Sequence, residues 1–207
     1  MLSRDAENVM TEHELQRKAC DLMKKHKRVF VLCSSMNIDR IAGLIHARPD
    51  MRPVVCDAYQ KEVLKYIEQK HGCYTELYRF GELHCNPSHI LYSNIQENGC
   101  LAFIRANNWS KQLLDRYDDA KIIYSMWDGY LEGPSANQKL VSLLEGSNPE
   151  HLHTSGHAAT SELQEVMSVL CPRKGIIPIH TEVPKRFYEI FPQYNVTILS
   201  DGKTILL

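Results

Sequence analysis

Residues 28–47 read RVFVLCSSMNIDRIAGLIHA. Arg28 to Cys33 is a continuous apolar, β-rich run, the pattern of a strand covered on both faces, as strands of a parallel sheet are. Ser34 and Ser35 then turn the chain, and Asn37 to Ala47 carries apolar residues at helical spacing behind an asparagine suited to cap a helix. Strand, polar turn and helix in this order make the first half of a βαβ unit.

The same rhythm extends in both directions. Upstream, Thr11 to His26 places Leu15, Ala19, Leu22 and Met23 on one helical stripe, and Thr11 with Glu14 forms a capping box. Downstream, Pro53 to Cys56 predicts a short strand and Ala58 to Lys70 a helix. His89 to Tyr92, Cys100 to Ile104 and Lys121 to Tyr124 predict further strands, with a helix over Ser110 to Tyr117. After a helix at Asn137 to Leu144, the run Gly146-Ser147-Asn148-Pro149 marks the best boundary in the chain. Beyond it the pattern is a strand from Glu150, a histidine loop, a helix over Ser161 to Leu170, a strand over Gly175 to Ile179 and a helix over Pro184 to Ile190. A terminal hairpin pairing Val196 to Leu199 with Thr204 to Leu207 around Asp201-Gly202 completes it. The expected fold class is α/β, a mostly parallel sheet flanked by helices.

Composition bounds the function. The 207 residues allow one large or two small domains, and 24 basic against 25 acidic residues give a net charge of −1. A nucleic acid would therefore be held by a local patch, not by a strongly basic surface. No apolar run approaches the roughly 18 residues of a membrane span, and the N-terminus lacks an apolar signal core, which points to the cytoplasm. Seven cysteines, an odd number with no CxxC, read as reduced and mostly buried thiols.

Two blocks carry chemistry. His153-Thr-Ser-Gly-His157-Ala and Ile177-Pro-Ile-His180-Thr-Glu each deliver imidazoles at the end of an element, with room for a helix and a strand between them. Both rings can then return to one sheet edge, as hydrolytic sites require. Ser34, Ser35 and Asn37, at a strand-to-helix turn, offer hydroxyls and helix amides to a phosphate, though a plain helix cap explains them equally. Trp127 and Tyr130 read as core packing, with stacking on a nucleobase as the alternative. Lys24 to Arg28 reads as a solvated basic helix end.

The HTSGHA and IPIHTE blocks resemble the last two signature blocks of the β-CASP branch of the metallo-β-lactamase superfamily, the group of ribonuclease J and the messenger-RNA cleavage factors. VFVLCSSMNIDRIAGLIHA is similar to the opening of its β-CASP insertion, and Ile123-Tyr-Ser-Met-Trp-Asp-Gly-Tyr130 to one subfamily of uncharacterised members. The resemblance implies a β-CASP domain over 1–148 and, over 149–207, the last lactamase segment of an αββα sandwich. It implies His180 as a zinc ligand, His157 as a proton donor, and His153 with Ser155 on a substrate phosphate. Two zinc ions are implied in a complete enzyme, with single-stranded RNA or another phosphodiester as substrate. The family's H-x-H-x-D-H motif is not found here, so the expectation is half of a hydrolase, inactive alone, that pairs with the missing half or with itself. The alternative is a non-catalytic module that binds phosphate, nucleic acid or a protein partner.

Overall fold

The computed structural model describes residues 10–85, 89–154, 158, 160–179, 181 and 183–204, residues 89 and 90 by their backbone. The chain divides into two compact units, the first over residues 10–154 and the second including residues 155–207.

The first unit is built on six parallel strands, β1 (Arg28–Cys33), β2 (Val54–Cys56), β3 (Leu83–His84), β4 (Cys100–Ile104), β5 (Lys121–Ser125) and β6 (Glu150–His151). They lie side by side in the order β3-β2-β4-β1-β5-β6. β1 sits between β4 and β5, with Val31 opposite both Phe103 and Ile123. Every residue of β1 is buried, as the RVFVLC run requires of a central strand. Successive side chains point to opposite faces. Val29, Val31 and Cys33 join Leu15, Ala19 and Met23 of α1 (Glu12–Lys25), Ile41 and Leu44 of α2 (Ile38–His46) and Leu64 of α3 (Ala58–His71). Phe30 and Leu32 join the opposite core, formed with α4 (His89–Asn98), α5 (Asn108–Arg116) and α6 (Gln138–Leu144).

The helices start where their caps are. The Thr11–Glu14 capping box is complete, and Asn37, Asp57 and Asn107 each accept a backbone N–H of the helix that follows. Gly99 turns from α4 into β4 with φ at +78°, and a Cβ there would lie 2.0 Å from the Lys27 carbonyl oxygen. Any other residue would push apart the starts of β1 and β4.

Three expectations need correction. His89 to Tyr92 is the first turn of α4, not a strand. Leu91 and Ile95, four apart, are both buried, so the helical period prevails over the short apolar run. The thiols are not mostly buried: Cys33, Cys56 and Cys100 are, Cys20 and Cys85 are half-buried, and Cys73 and Cys171 are exposed. Arg28 is no part of a solvated helix end. It is buried, donates to the Ile95 carbonyl at 3.3 Å and pairs with Asp119, while Lys24, Lys25 and Lys27 remain exposed.

In the second unit, α7 (Thr160–Leu170) and α8 (Arg186–Ile190) flank one parallel bridge between Ile176 and Val196. The predicted strands at 175–179 and 196–199 are thus reduced to one residue pair, held by Ile176 N–H to Asn195 at 2.8 Å and Thr197 N–H to Ile176 at 2.9 Å. The Asp201-Gly202 turn is present, closed by Lys203 N–H on the Ser200 carbonyl at 3.1 Å. Of the second arm of the predicted hairpin, 204–207, Thr204 is not in a strand and 205–207 lie outside the described residues. Ile176, Phe187, Phe191 and Val196 form the small core, and the Tyr194 hydroxyl ties it to the Met167 carbonyl at 3.0 Å. Among the described residues no helix is long and apolar enough to cross a membrane.

Candidate functional site

In an open parallel sheet the carboxyl ends of the strands are where loops meet. A crevice opens where neighbouring strands send their connections in opposite directions. β1 leads toward β2 on one side and β5 toward β6 on the other, so the β1–β5 boundary is such a point. Three segments converge there: Ser34 to Asn37 after β1, Met126 to Tyr130 after β5, and His153 with Thr154 after β6.

Arg40 fastens them together. It is 1 % exposed, although it lies on α2 among Ile41, Ala42, Leu44 and Ile45. Its guanidinium donates to the Ser125 carbonyl at 3.3 Å, to Nδ1 of His153 at 3.1 Å and to the Thr154 carbonyl at 2.9 Å, and it pairs with Glu12. A buried guanidinium with this many acceptors is a clasp between elements, not a free hand for substrate. Ser125 completes the knot, its hydroxyl donating to the Leu152 carbonyl at 2.6 Å.

The clasp sets the state of His153. Arginine cannot accept, so Nδ1 of His153 must, which leaves the ring neutral with its proton on Nε2. Burial, then the adjacent Arg40 charge, holds its pKa below the usual histidine value. His153 stacks on His151, ring centres 6.0 Å apart. His151 in turn lies 3.1 Å from the Met126 carbonyl and 3.2 Å from the Asp128 carboxylate.

Of the predicted phosphate group, the structure brings Ser34, Ser35 and Asn37 to this edge together with His153. Ser34 is exposed, and its hydroxyl accepts the Met36 N–H at 3.3 Å. Asn37 caps α2 through the Arg40 N–H at 3.3 Å. The Ser35 carbonyl accepts from Gln60 at 3.3 Å. Ser155, His157 and His180 lie outside the described residues.

Trp127 and Tyr130 are not core residues. They are 48 % and 41 % exposed and meet edge to face at 5.5 Å. The aromatic run that contains them ends one strand, Tyr124 being buried, and its exposed half begins where the strand stops.

Two groups at this edge went unread in the sequence. Arg40 had a signal, a lone cation inside an apolar helical stripe. Asp57 had less: it is 8 % exposed and accepts Nε of Arg105 at 2.7 Å, Asn107 at 2.7 Å and the Gln60 N–H at 2.8 Å. That partnership spans two loops, which no local pattern reveals.

Comparison with known families identifies part of the chain. Residues 141–185 match the Zn-dependent metallo-hydrolase RNA specificity domain. The match runs from α6 through His153 to the segment after His180, and it supports the β-CASP branch of the metallo-β-lactamase superfamily in the region where the two histidine blocks resemble it. A crystal structure of a protein of unknown function from Enterococcus faecalis V583 has the same fold, with 17 % identity and a TM-score of 0.63. The alignment covers all of this chain and 49 % of that one, so the chain spans about half its length. No curated protein is matched by the sequence.

Proposed function

We propose that the chain is the substrate-holding part of a zinc-dependent ribonuclease of the metallo-β-lactamase fold. In this reading residues 1–148 are the β-CASP domain. Residues 149–207 complete an αββα sandwich with a segment that bears the H-x-H-x-D-H ligands. The observation that carries it is the match to an RNA specificity domain across 141–185, the stretch that holds His153, Ser155, His157 and His180.

The described residues do not by themselves fit zinc: no three of their His, Cys, Asp and Glu side chains are grouped as a metal site needs. The Thr181 hydroxyl, next to His180, is buried without a hydrogen-bond partner. Such a group costs about 1–3 kcal/mol. The roles assigned to this chain are therefore its own. His153, held neutral by Arg40, keeps an Nε2 proton to give to a phosphate oxygen. Ser34, Ser35 and Ser155 add hydroxyls, and the amides at the start of α2 add donors to a second phosphate. His180 is assigned as one metal ligand and His157 as the proton donor to the leaving oxygen.

The test is binding of labelled single-stranded RNA across a salt series. Affinity should fall as salt rises, with His153→Ala weakening it. Combined with an H-x-H-x-D-H-bearing segment, the complex should take up zinc and cleave RNA. His180→Ala should then lower the zinc content, and His157→Ala should slow cleavage with zinc retained. RNA binding without zinc uptake or cleavage in that complex would favour the non-catalytic module, and no RNA binding at low salt would overturn both.

A further inference from the structure

Trp127 stands at the mouth of the β1–β5 crevice in an unusual pose. The ideal Cβ position on Gly129 falls 2.3 Å, 2.4 Å and 2.5 Å from three consecutive atoms of the indole's six-membered ring. Near-equal distances of that kind mean that the ring lies face-on over the Gly129 backbone; an edge approach would leave two of the three atoms much farther away. One indole face is thus packed on a glycine. With 48 % of the residue exposed, about half of Trp127 is reachable from solvent.

Its backbone is anchored, the Trp127 carbonyl accepting the hydroxyl of buried Tyr124 at 2.9 Å, and the Tyr130 ring stands at 83° to the indole with centres 5.5 Å apart. A large apolar surface fixed in water by its neighbours is a feature that folding alone does not require. Its position matters too. Ser125, whose carbonyl receives Arg40, is two residues before Trp127, about 7 Å of chain at most. The platform therefore lies beside the His153 and Ser34 donors.

We propose that Trp127 is a nucleobase-stacking platform: the exposed part of the indole takes one base of a single strand whose neighbouring phosphates lie on the donors after β1 and β6. The assignment rests on the nucleic-acid reading above and adds to it a contact with the base. Stacking of this type tolerates any sequence, because every base presents a π face. Gly129 is a positioning residue, since a side chain there would lift the indole from its seat.

Anisotropy with two labelled probes separates the contributions, a decaadenylate and an abasic decamer with the same number of phosphates. The decaadenylate should bind about 5- to 150-fold more tightly, the span of one stacked base. Trp127→Ala should remove that preference while leaving the abasic probe unaffected, Trp127→Phe should retain part of it, and Gly129→Ala should reduce it with the tryptophan still present. In a Trp109→Phe background, which leaves Trp127 as the sole indole, the decaadenylate should quench fluorescence and the abasic probe should not. Equal binding of the two probes, or a preference unchanged in both Trp127→Ala and Gly129→Ala, overturns the platform while leaving phosphate binding intact. Failure of both probes to bind overturns the nucleic-acid reading together with it.

Discussion

The unit over residues 10–154 and the segment over 155–207 obey the same chemistry with different amounts of material. In the first, a central strand is buried along its whole length and two separate cores form, one on each sheet face. Among the described residues of the second, four buried apolar residues and one bridge hold two short helices, while Val169 and Ile179 are 78 % and 80 % exposed. A core that small supplies little against the entropy of ordering its chain. The first unit has the burial to define its own structure. The second has a pattern whose apolar surplus calls for further covering.

The sharpest way to break this comparison is a pair of matched truncations. Phe30→Ala removes a fully buried ring from the central strand and should cost about 3–5 kcal/mol, read as a shift of the main denaturation midpoint. Phe191→Ala removes an equally buried ring from the small core. It should release amide protection at Ile176 and Thr197 in hydrogen exchange and leave the main midpoint in place. A common shift by both variants would mean that the chain unfolds as one cooperative body.

Next in size is Arg40→Met, which keeps an unbranched apolar stem but removes the guanidinium and strands the acceptors at Ser125, His153 and Thr154. A loss of about 2 kcal/mol should follow in chemical denaturation, since buried acceptors left unpaired cost on that order. Glu12→Gln should cost less, because that carboxylate is half exposed and removing its charge leaves the other acceptors in place.

A smaller effect should appear with pH. The folded-state pKa of His153 is depressed, so the unfolded chain binds the proton more readily. Stability from this group is complete at pH above about 6.5, the ordinary histidine value, and falls as the pH drops from there toward the folded-state value. His153→Gln should flatten that part of the stability profile, and a slope equally steep in the variant would assign it elsewhere.

The smallest perturbation is thiol labelling. Burial pushes the thiols of Cys33, Cys56 and Cys100 up to about 12, whereas Cys171 in the second unit and Cys73 are exposed. Under native conditions Cys73 and Cys171 should label first, and the three buried thiols only as fast as the first unit opens.

Legibility in the sequence followed the same division. β1, β4 and β5 were readable because strands covered on both faces are apolar throughout, and the Thr11–Glu14 box and Asn37 announced their helices. His89 to Tyr92 misled because four apolar-leaning residues fit either period, and the deciding partner, Ile95, lies one turn farther on. The segments at 175–179 and 196–199 carry apolar residues suited to a sheet, yet among the described residues only Ile176 and Val196 pair. Of the site, Ser34, Ser35 and Asn37 are legible as a local strand-to-helix turn, and His153 through the family resemblance of its block. Arg40 and Asp57 escaped because their roles are defined by residues up to 114 positions away. Trp127 reads as core by its type alone, and its 48 % exposure is set by the loop after β5, which the local pattern does not reveal.

The place of β1 in the sheet sets a schedule for synthesis. It is the first strand of its sheet in chain order, yet both of its neighbours come late: Arg28 pairs with Cys100, 72 positions downstream, and Val29 with Lys121 later still. At a translation rate of about 5–20 residues per second, RVFVLC waits roughly 4–14 s with both edges unpaired. During that interval it is an apolar, strand-forming segment without a sheet, the kind that nascent chains aggregate through. Slow codons between 34 and 99 would lengthen the exposure, so the yield of folded protein should depend on elongation speed across that stretch more than on speed after Ser125.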